Sequence, residues 1–133
     1  MALLVPDAGE VSLWEDALKT TTPEGQTLKL YTNDYDPVEG SISTDFTEAS
    51  GNGYAAIPLT RGSWSVATST GTTTATYAQQ TFTFTGGPVT VYGYYIVHTT
   101  TTTDLLWAEK FASAASIPAG GGDIKITLNI ELA

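Results

Sequence analysis

The sequence contains no cysteine, and this absence excludes several kinds of chemistry. Without thiols there are no disulfides, no thiolate metal site and no cysteine nucleophile. His98 is the single histidine, so a zinc site lacks its usual ligands and a catalytic relay has only one imidazole. No serine lies in the G-x-S-x-G setting of serine hydrolases. We therefore expect no metal, no cofactor and no catalytic residue of these kinds, and a structural or exposed role for His98.

Basic residues are also scarce. Five Lys and Arg stand against fourteen Asp and Glu, for a formal net charge of -9, and the five bases are scattered along the chain. Phosphate binding requires concentrated positive charge. We therefore expect neither nucleic acid nor anionic membrane as a partner, and a partner with a basic or neutral face fits better.

Long hydrophobic runs are absent as well. No stretch approaches the length of a membrane span. The apolar run in the opening MALLVP is too short for the hydrophobic region of a signal peptide, and no basic residue precedes it. We therefore expect synthesis in the cytosol, without secretion by a signal peptide.

The chain has mainly apolar residues, threonine, glycine and serine, with only 14% charged residues. Threonine is β-branched and favours strands. A chain of 133 residues is long enough for one domain that buries roughly two-thirds of its unfolded surface. The composition thus predicts a single β-rich domain with its own core.

One helix is predicted near the start, over residues 8–19. Asp7 is the expected N-cap, with Glu10 as its capping-box partner. Apolar residues at helical spacing form one face, while Glu15, Asp16 and Lys19 are expected to point away. The residues of that apolar face are Val11, Trp14, Ala17 and Leu18.

The rest of the chain consists of short strands separated by turn residues. The predicted strands are 28–32, 53–59, 63–68, 74–85, 89–99, 104–112 and 123–132. The strand at 89–99 is apolar on both faces, which predicts a central position, and 104–112 is its expected hairpin partner. The last strand alternates aliphatic and polar residues throughout.

These elements predict an all-β fold, an antiparallel β-sandwich or jelly roll with one short N-terminal α-helix. Residues 1–25 are the expected N-terminal arm and helix, and 26–133 the sandwich body of a single domain.

The stretch NDYDPVEGSISTDFTE at 33–48 concentrates five carboxylates. It fails the calcium-loop pattern at half of its positions. Asp34 and Glu48 could form the carboxylate pair of a glycosidase, but acids in such loops are usually solvated. A second candidate surface is aromatic: exposed rings could stack on a sugar, although core packing is their usual role. Its members are Tyr92, Tyr94, Tyr95 and Trp107.

Several segments together resemble a family of small tailed-phage virion proteins, the capsid decoration or cement proteins. The most specific segments are LYTND, DFTEA followed by GY, the FTFTG and VYGYY pair, and LLWAE followed by F. The resemblance covers nearly the whole chain. It implies a β-sandwich or jelly-roll body on the outer surface of the shell, with the major capsid protein and sister subunits of a homotrimer as partners. Gly51 and Asn52 lengthen one loop relative to the family pattern.

The resemblance also implies a framework role for DFTEA. Phe46 would anchor the loop, while Asp45 and Glu48 would bind backbone N–H groups or face a basic neighbour. The apolar start would pack on the sandwich itself, on a sister subunit or on the capsid. The candidate interface or loop-anchoring residues are Leu3, Leu4, Trp14, Asp34, Asp36, Asp45, Phe46 and Glu48.

Three functions follow from these features. The first is a non-enzymatic virion protein that stabilises the capsid. The second is a tail- or fibre-associated module that binds host glycan through exposed aromatic rings. The third is a glycosidase with a carboxylate pair among Asp34, Asp36, Asp45 and Glu48. Exposure of Tyr92, Tyr94 and Trp107 separates the first two, and a cleft with two facing carboxylates would favour the third.

Overall fold

The computed structural model describes residues 4–19 and 22–132. These residues form one α-helix and seven strands, with two single-turn 3-10 helices at Ser43–Asp45 and Arg61–Ser63. The elements are α1 Asp7–Leu18, β1 Gln26–Tyr31, β2 Ile57–Leu59, β3 Ser65–Ser69, β4 Thr72–Phe84, β5 Val89–His98, β6 Leu105–Ile117 and β7 Gly122–Leu132.

The strands form two antiparallel sheets. One has four strands in the order β2-β1-β5-β6, and the other has three in the order β3-β4-β7. Apolar side chains from both sheets meet in one core, which includes Leu28, Ile96, Phe82, Phe84 and Ile126. The predicted all-β sandwich with one short N-terminal helix is therefore confirmed.

Strand β7 shows how sequence alternation produces this core. Ile124, Ile126 and Leu128 are at most 7% exposed, whereas Lys125 and Thr127 between them are exposed. Successive side chains of a strand point to opposite faces, so one face of β7 packs on the core and the other meets solvent. The predicted half-buried strand is confirmed.

Strand β5 lies between β1 and β6 and is covered on both faces. Tyr94 and Ile96 belong to the core between the sheets, while Tyr95 and Val97 belong to a second cluster on the outer face. The predicted central strand and its hairpin with β6 are confirmed. Strand β6 extends to Ile117, beyond the predicted end, because it pairs with β5 as far as Val89, the partner of Ile117.

The starts of β2 and β3 also differ from the prediction. The strand predicted at 53–59 is only Ile57–Leu59, because the backbone at 51–53 turns through positive φ angles at Gly51, Asn52 and Gly53. The strand predicted from 63 begins at Ser65, after the 3-10 turn.

The helix cap also differs. The N-cap is Pro6, in extended conformation and without a side-chain cap, so the predicted capping box of Asp7 and Glu10 is wrong. Asp7 is already helical, and its N–H donates to the Glu39 carbonyl at 2.9 Å. A tertiary contact thus satisfies one of the N-terminal donors that a side-chain cap would otherwise bind.

Helix α1 packs through its smallest residues. Gly9 and Ser12 are buried, and a Cβ added to Gly9 would lie 2.2 Å from the Leu106 carbonyl oxygen of β6. Only glycine allows the helix backbone to approach the strand so closely. The prediction that Asp16 points away from the body is wrong, because its side chain lies on this packed side and is 12% exposed.

Candidate functional site

The acidic stretch 33–48 is an ordered loop over the outer face of the four-stranded sheet. Phe46, 6% exposed, is its central contact. Its ring stacks on Tyr95 with 4.8 Å between centroids and meets Tyr31 and Tyr35 edge-on at 5.0 and 5.2 Å. Four aromatic rings thus fix the loop to β1 and β5 by packing.

Hydrogen bonds inside the loop involve Asp45 and Asn33. The Asp45 carboxylate accepts the Ile42 N–H at 2.9 Å and the Tyr35 hydroxyl at 3.3 Å. The Asn33 amide donates to the Asp45 carbonyl at 2.8 Å and accepts the Thr47 N–H at 2.7 Å. These bonds satisfy backbone groups that lie outside the sheets, and they place Asp45 in a loop-holding position.

Glu48 lies where the loop returns to β1. Its carboxylate contacts Lys29 Nζ at 2.8 Å and accepts the Tyr54 hydroxyl at 3.2 Å. The same hydroxyl accepts the Leu30 N–H at 3.1 Å. Burial raises the pKa of Tyr54, the Leu30 hydrogen bond opposes this shift, and the Glu48 carboxylate adds to it. Glu48 therefore connects the loop to the strand through both a charge and a hydroxyl.

Asp34 and Asp36 share one cation. Lys110 Nζ of β6 lies 2.5 Å from Asp34 and 3.1 Å from Asp36, and the two carboxylates are 65% and 62% exposed. Their hydrogen bonds raise the pKa of Lys110. Both acids thus lie at the surface against a lysine, while Glu48 binds a different lysine, Lys29. Asp34 and Glu48, the pair considered for a glycosidase, therefore bind different lysines, whereas Asp34 and Asp36 lie together at Lys110.

The outer side of α1 carries a row of exposed apolar residues. Val11, Trp14 and Leu18 are 59%, 67% and 75% exposed, and their spacing places them side by side. We call these three residues the α1 strip. An exposed apolar group of this kind is typical of interaction surfaces.

The apolar segment before the helix packs on its own chain. Leu4 pairs its backbone with Ala108 of β6 at 2.9 and 3.0 Å, Val5 contacts the core and Pro6 is buried. Leu3 lies outside the described residues. Leu4 therefore continues the four-stranded sheet by one bridge beside β6.

A polar cluster that sequence reasoning missed holds the inner side of α1. His98, 5% exposed, places Nε2 3.4 Å and Nδ1 3.2 Å from the carboxylates of Asp16 and Asp104. Asp16 also accepts Arg61 Nη1 at 2.8 Å. Helix, sheet and the 3-10 turn thus meet at one carboxylate. The sequence shows a single histidine, His98, and an acid on the polar side of the helix, Asp16. These two residues lie 82 positions apart.

Glu24 closes the neighbouring loop. Its carboxylate accepts the Thr101 hydroxyl at 2.6 Å and the N–H groups of Thr101 and Thr100 at 2.9 and 3.1 Å. These bonds, the Thr101 hydroxyl first, lower the pKa of Glu24. A cavity of about 120 Å³ lies between Glu24, His98 and Asp104. In the described part of the chain, no group of three or more His, Asp or Glu residues has an arrangement that could hold a metal ion.

The aromatic residues proposed for sugar stacking do not form an exposed platform. Tyr94, Tyr95 and Trp107 are at most 5% exposed, and Tyr92 is partly buried. Tyr94 lies in the core and donates its hydroxyl to Glu109 at 2.6 Å. Burial, followed by this carboxylate, raises the pKa of Tyr94. A glycan could not stack on these rings in this arrangement.

No protein-family model matches the sequence, and no curated protein matches it with significant similarity. The resemblance to phage virion proteins therefore stays a prediction from the motifs. The described residues include no helix with the length and apolar character needed to cross a membrane.

Proposed function

We propose that the protein is a non-enzymatic structural protein of a tailed-phage virion that decorates the outer surface of the capsid. Its partners are the major capsid protein and, in a homotrimer, its own copies. It is made in the host cytoplasm and joins the shell there. Each copy bridges neighbouring capsid subunits, and the oligomer multiplies the affinity of each contact.

The α1 strip is the observation that carries this proposal. These three large apolar residues are 59% to 75% exposed, and contact of their apolar surface with water is unfavourable. A partner that covers them removes that area from solvent. The helix below them is fixed to the body by Gly9 and by the contacts of Asp16. A rigidly held helix that turns its apolar residues outward suits docking on a protein surface.

The acidic loop is compatible with the same proposal, because its carboxylates make contacts that hold the loop to the body. Asp34 and Asp36 bind Lys110, Asp45 binds loop backbone, and Glu48 binds Lys29. Each of these carboxylates has a partner within the fold, and Asp34 and Asp36 share theirs. The buried Tyr94 and Trp107 likewise give the glycan-binding alternative no stacking surface.

Co-sedimentation with undecorated shells of the encoding phage tests the proposal. The wild-type protein should sediment with the shells, and the strip variant Val11→Ser/Trp14→Ser/Leu18→Ser should lose at least about tenfold in affinity, the loss expected when a buried apolar anchor is removed. Heated shells should retain their DNA longer when they carry the wild-type protein.

The matched control removes other exposed apolar groups. Val38 and Ile42 are 57% and 52% exposed in the loop at 33–48, so Val38→Ser/Ile42→Ser is a comparable change at another place. This variant should bind shells like the wild type. Wild-type protein that sediments with no shell would contradict the proposal, and a loss limited to the loop variant would assign docking to the loop.

A further inference from the structure

A pocket of about 360 Å³ lies between the two sheets near α1. Its walls are largely apolar, and both sheets and the helix contribute to them. The main wall residues are Leu13, Trp64, Val66, Ala75, Trp107 and Ile130. The volume lies in the range of about 300 to 1,000 Å³ typical of small-molecule sites. Val66 is 67% exposed, so the pocket has an open side at β3.

The two tryptophans of the wall differ in their hydrogen bonding. The indole N–H of Trp64 donates to Gln26 Oε1 at 2.9 Å. Trp107 is 5% exposed, and its buried Nε1 has no acceptor among the described residues. Buried donors in native proteins nearly always have a partner, and an exception calls for an explanation. Trp107, a residue of the pocket wall, thus carries one buried and unsatisfied donor.

The charges around the pocket favour a neutral molecule. Arg61 is the one charged residue among the described residues that line it. Its Nη1 donates to the Asp16 carboxylate at 2.8 Å and to the Glu24 carbonyl at 3.1 Å, so its charge is already compensated. The described lining residues thus offer no uncompensated charge to pair with an anion or a cation, and an ion buried there without a partner would be unfavourable.

We propose that this pocket binds a small neutral molecule that is mostly apolar and carries one hydrogen-bond acceptor, such as a ketone or an amide. Its apolar part covers the walls at Leu13, Ala75 and Ile130 and removes them from water. Its acceptor takes the N–H of Trp107 once the indole ring has rotated to turn that N–H toward the pocket, which satisfies the buried donor. This site is independent of the α1 strip, so it does not depend on the capsid proposal.

Titration with cyclohexanone, an apolar ring with one carbonyl acceptor, tests the site. The three tryptophans give three indole N–H resonances in isotope-labelled protein, which Trp→Phe variants assign. We expect a saturable change in chemical shift that is largest for the indole N–H of Trp107. The change should have the direction that formation of a hydrogen bond by this N–H produces. Trp14 lies on the α1 strip, 67% exposed, and its resonance should not move.

Two neighbouring residues of β4 provide a blocking variant and its control. Ala75 lines the pocket, whereas Thr76 is exposed on the opposite face. Ala75→Leu should fill the space and weaken binding by at least about tenfold, while Thr76→Leu should bind like the wild type. Cyclohexanecarboxylate, the matched anion, should bind at least about tenfold more weakly than cyclohexanone, as expected for an uncompensated charge in an apolar site.

Three results of the titrations would overturn the assignment. The first is a titration without a saturable Trp107 shift, or with its largest shift at Trp14. The second is equal binding by Ala75→Leu and the wild type, and the third is equal or tighter binding of the carboxylate. A Trp107 resonance that moves on dilution of the protein alone would assign the pocket to a second copy of the chain and would also overturn the proposal.

Discussion

The loop at 33–48 and helix α1 are both attached to the four-stranded sheet, yet they use their apolar residues in opposite ways. The loop turns its aromatic residue inward, where Phe46 packs on Tyr31 and Tyr95. The helix turns glycine, serine and Asp16 inward and leaves the α1 strip in solvent. An irregular loop is therefore held by apolar packing, and a regular helix by close backbone contact and a polar cluster.

This difference shows which apolar residues serve the fold and which are available to a partner. In the loop, removal of Phe46 would open a cavity among Tyr31, Tyr35 and Tyr95. On the helix, removal of the α1 strip would remove atoms that contact mainly solvent. The same residue types thus have different roles in the two regions, and the predictions below test that contrast.

The largest effect is expected from alkali, which ionises buried tyrosines both under the loop and in the main core. Burial raises the pKa of Tyr31 and Tyr95 above the ordinary value of 10.0, as it does for Tyr54 and Tyr94. A raised pKa in the folded state contributes stability that is complete below the unfolded pKa and is lost as pH rises above it. Unfolding should therefore begin above about pH 10. Tyrosinate absorbance and circular dichroism should change together, and tyrosines that ionise reversibly near their ordinary pKa with unchanged dichroism would refute this.

The next largest effect is expected from Phe46→Ala. Deleting a buried aromatic ring should lower the free energy of unfolding by about 3 to 5 kcal/mol, measured by urea denaturation. Trp14→Ala removes a larger ring from the α1 strip and should change stability by less than about 0.5 kcal/mol. Equal losses in the two variants would show that the loop and the helix do not differ in this way.

Gly9→Ala tests the backbone contact of α1. Alanine normally stabilises a helix interior relative to glycine by about 1 kcal/mol. Here the new Cβ would lie 2.2 Å from a carbonyl oxygen, so we expect a loss of about 1 to 3 kcal/mol instead. Gly62→Ala is the control, because nothing lies within 4 Å of its Cβ position. A Gly9→Ala protein more stable than the wild type would mean that α1 can move away from β6 without cost.

Asp16→Asn tests the polar cluster. The amide keeps the shape of the side chain but removes the charge that faces Arg61 and His98, and the expected loss is about 1 to 2 kcal/mol. Glu15→Gln changes the neighbouring exposed acid, which pairs with Lys19 on the helix surface, and should cost less than about 0.5 kcal/mol. If thermal unfolding shows the reverse order, Asp16 does not hold the helix.

The smallest effect on stability is expected from the strip variant Val11→Ser/Trp14→Ser/Leu18→Ser. Because the three side chains are more than half exposed, the melting temperature should stay within a few degrees of the wild-type value. Solubility should increase. A large drop in melting temperature would show that the strip packs within its own subunit and is not a free surface.

The sheet was predictable from the sequence because alternation is a local property. Ile124, Ile126 and Leu128 lie two positions apart, so their shared face can be predicted from a ten-residue window. The doubly apolar pattern of Tyr94 to Val97 likewise indicated a strand covered on both sides. The ends of β2 and β6 were predicted less well, because turn geometry at Gly51 and pairing with Val89 set them.

The orientation of α1 was not predictable in the same way. Helical periodicity identified a face with Val11, Trp14 and Leu18, but it does not state whether that face meets the body or solvent. Residues distant in sequence set the orientation of the helix. Gly9 lies close to the Leu106 carbonyl, and His98 contacts Asp16. These contacts join positions that no local window contains. A surface strip and a buried one therefore have the same sequence pattern.

The strand order has a consequence for how the chain folds. Strand β1 lies between β2 and β5, and β4 lies between β3 and β7, so both sheets join segments far apart in sequence. The chain must lose conformational entropy before such pairings contribute stabilising free energy. Folding is therefore slow, typically milliseconds to seconds for sandwiches of this kind. Until β5 is present, β1 has only the three-residue β2 as a partner, and a two-stranded pair is marginal in water. The apolar residues of β1 are therefore exposed during synthesis until β5 has emerged, a period in which the chain can aggregate with other copies.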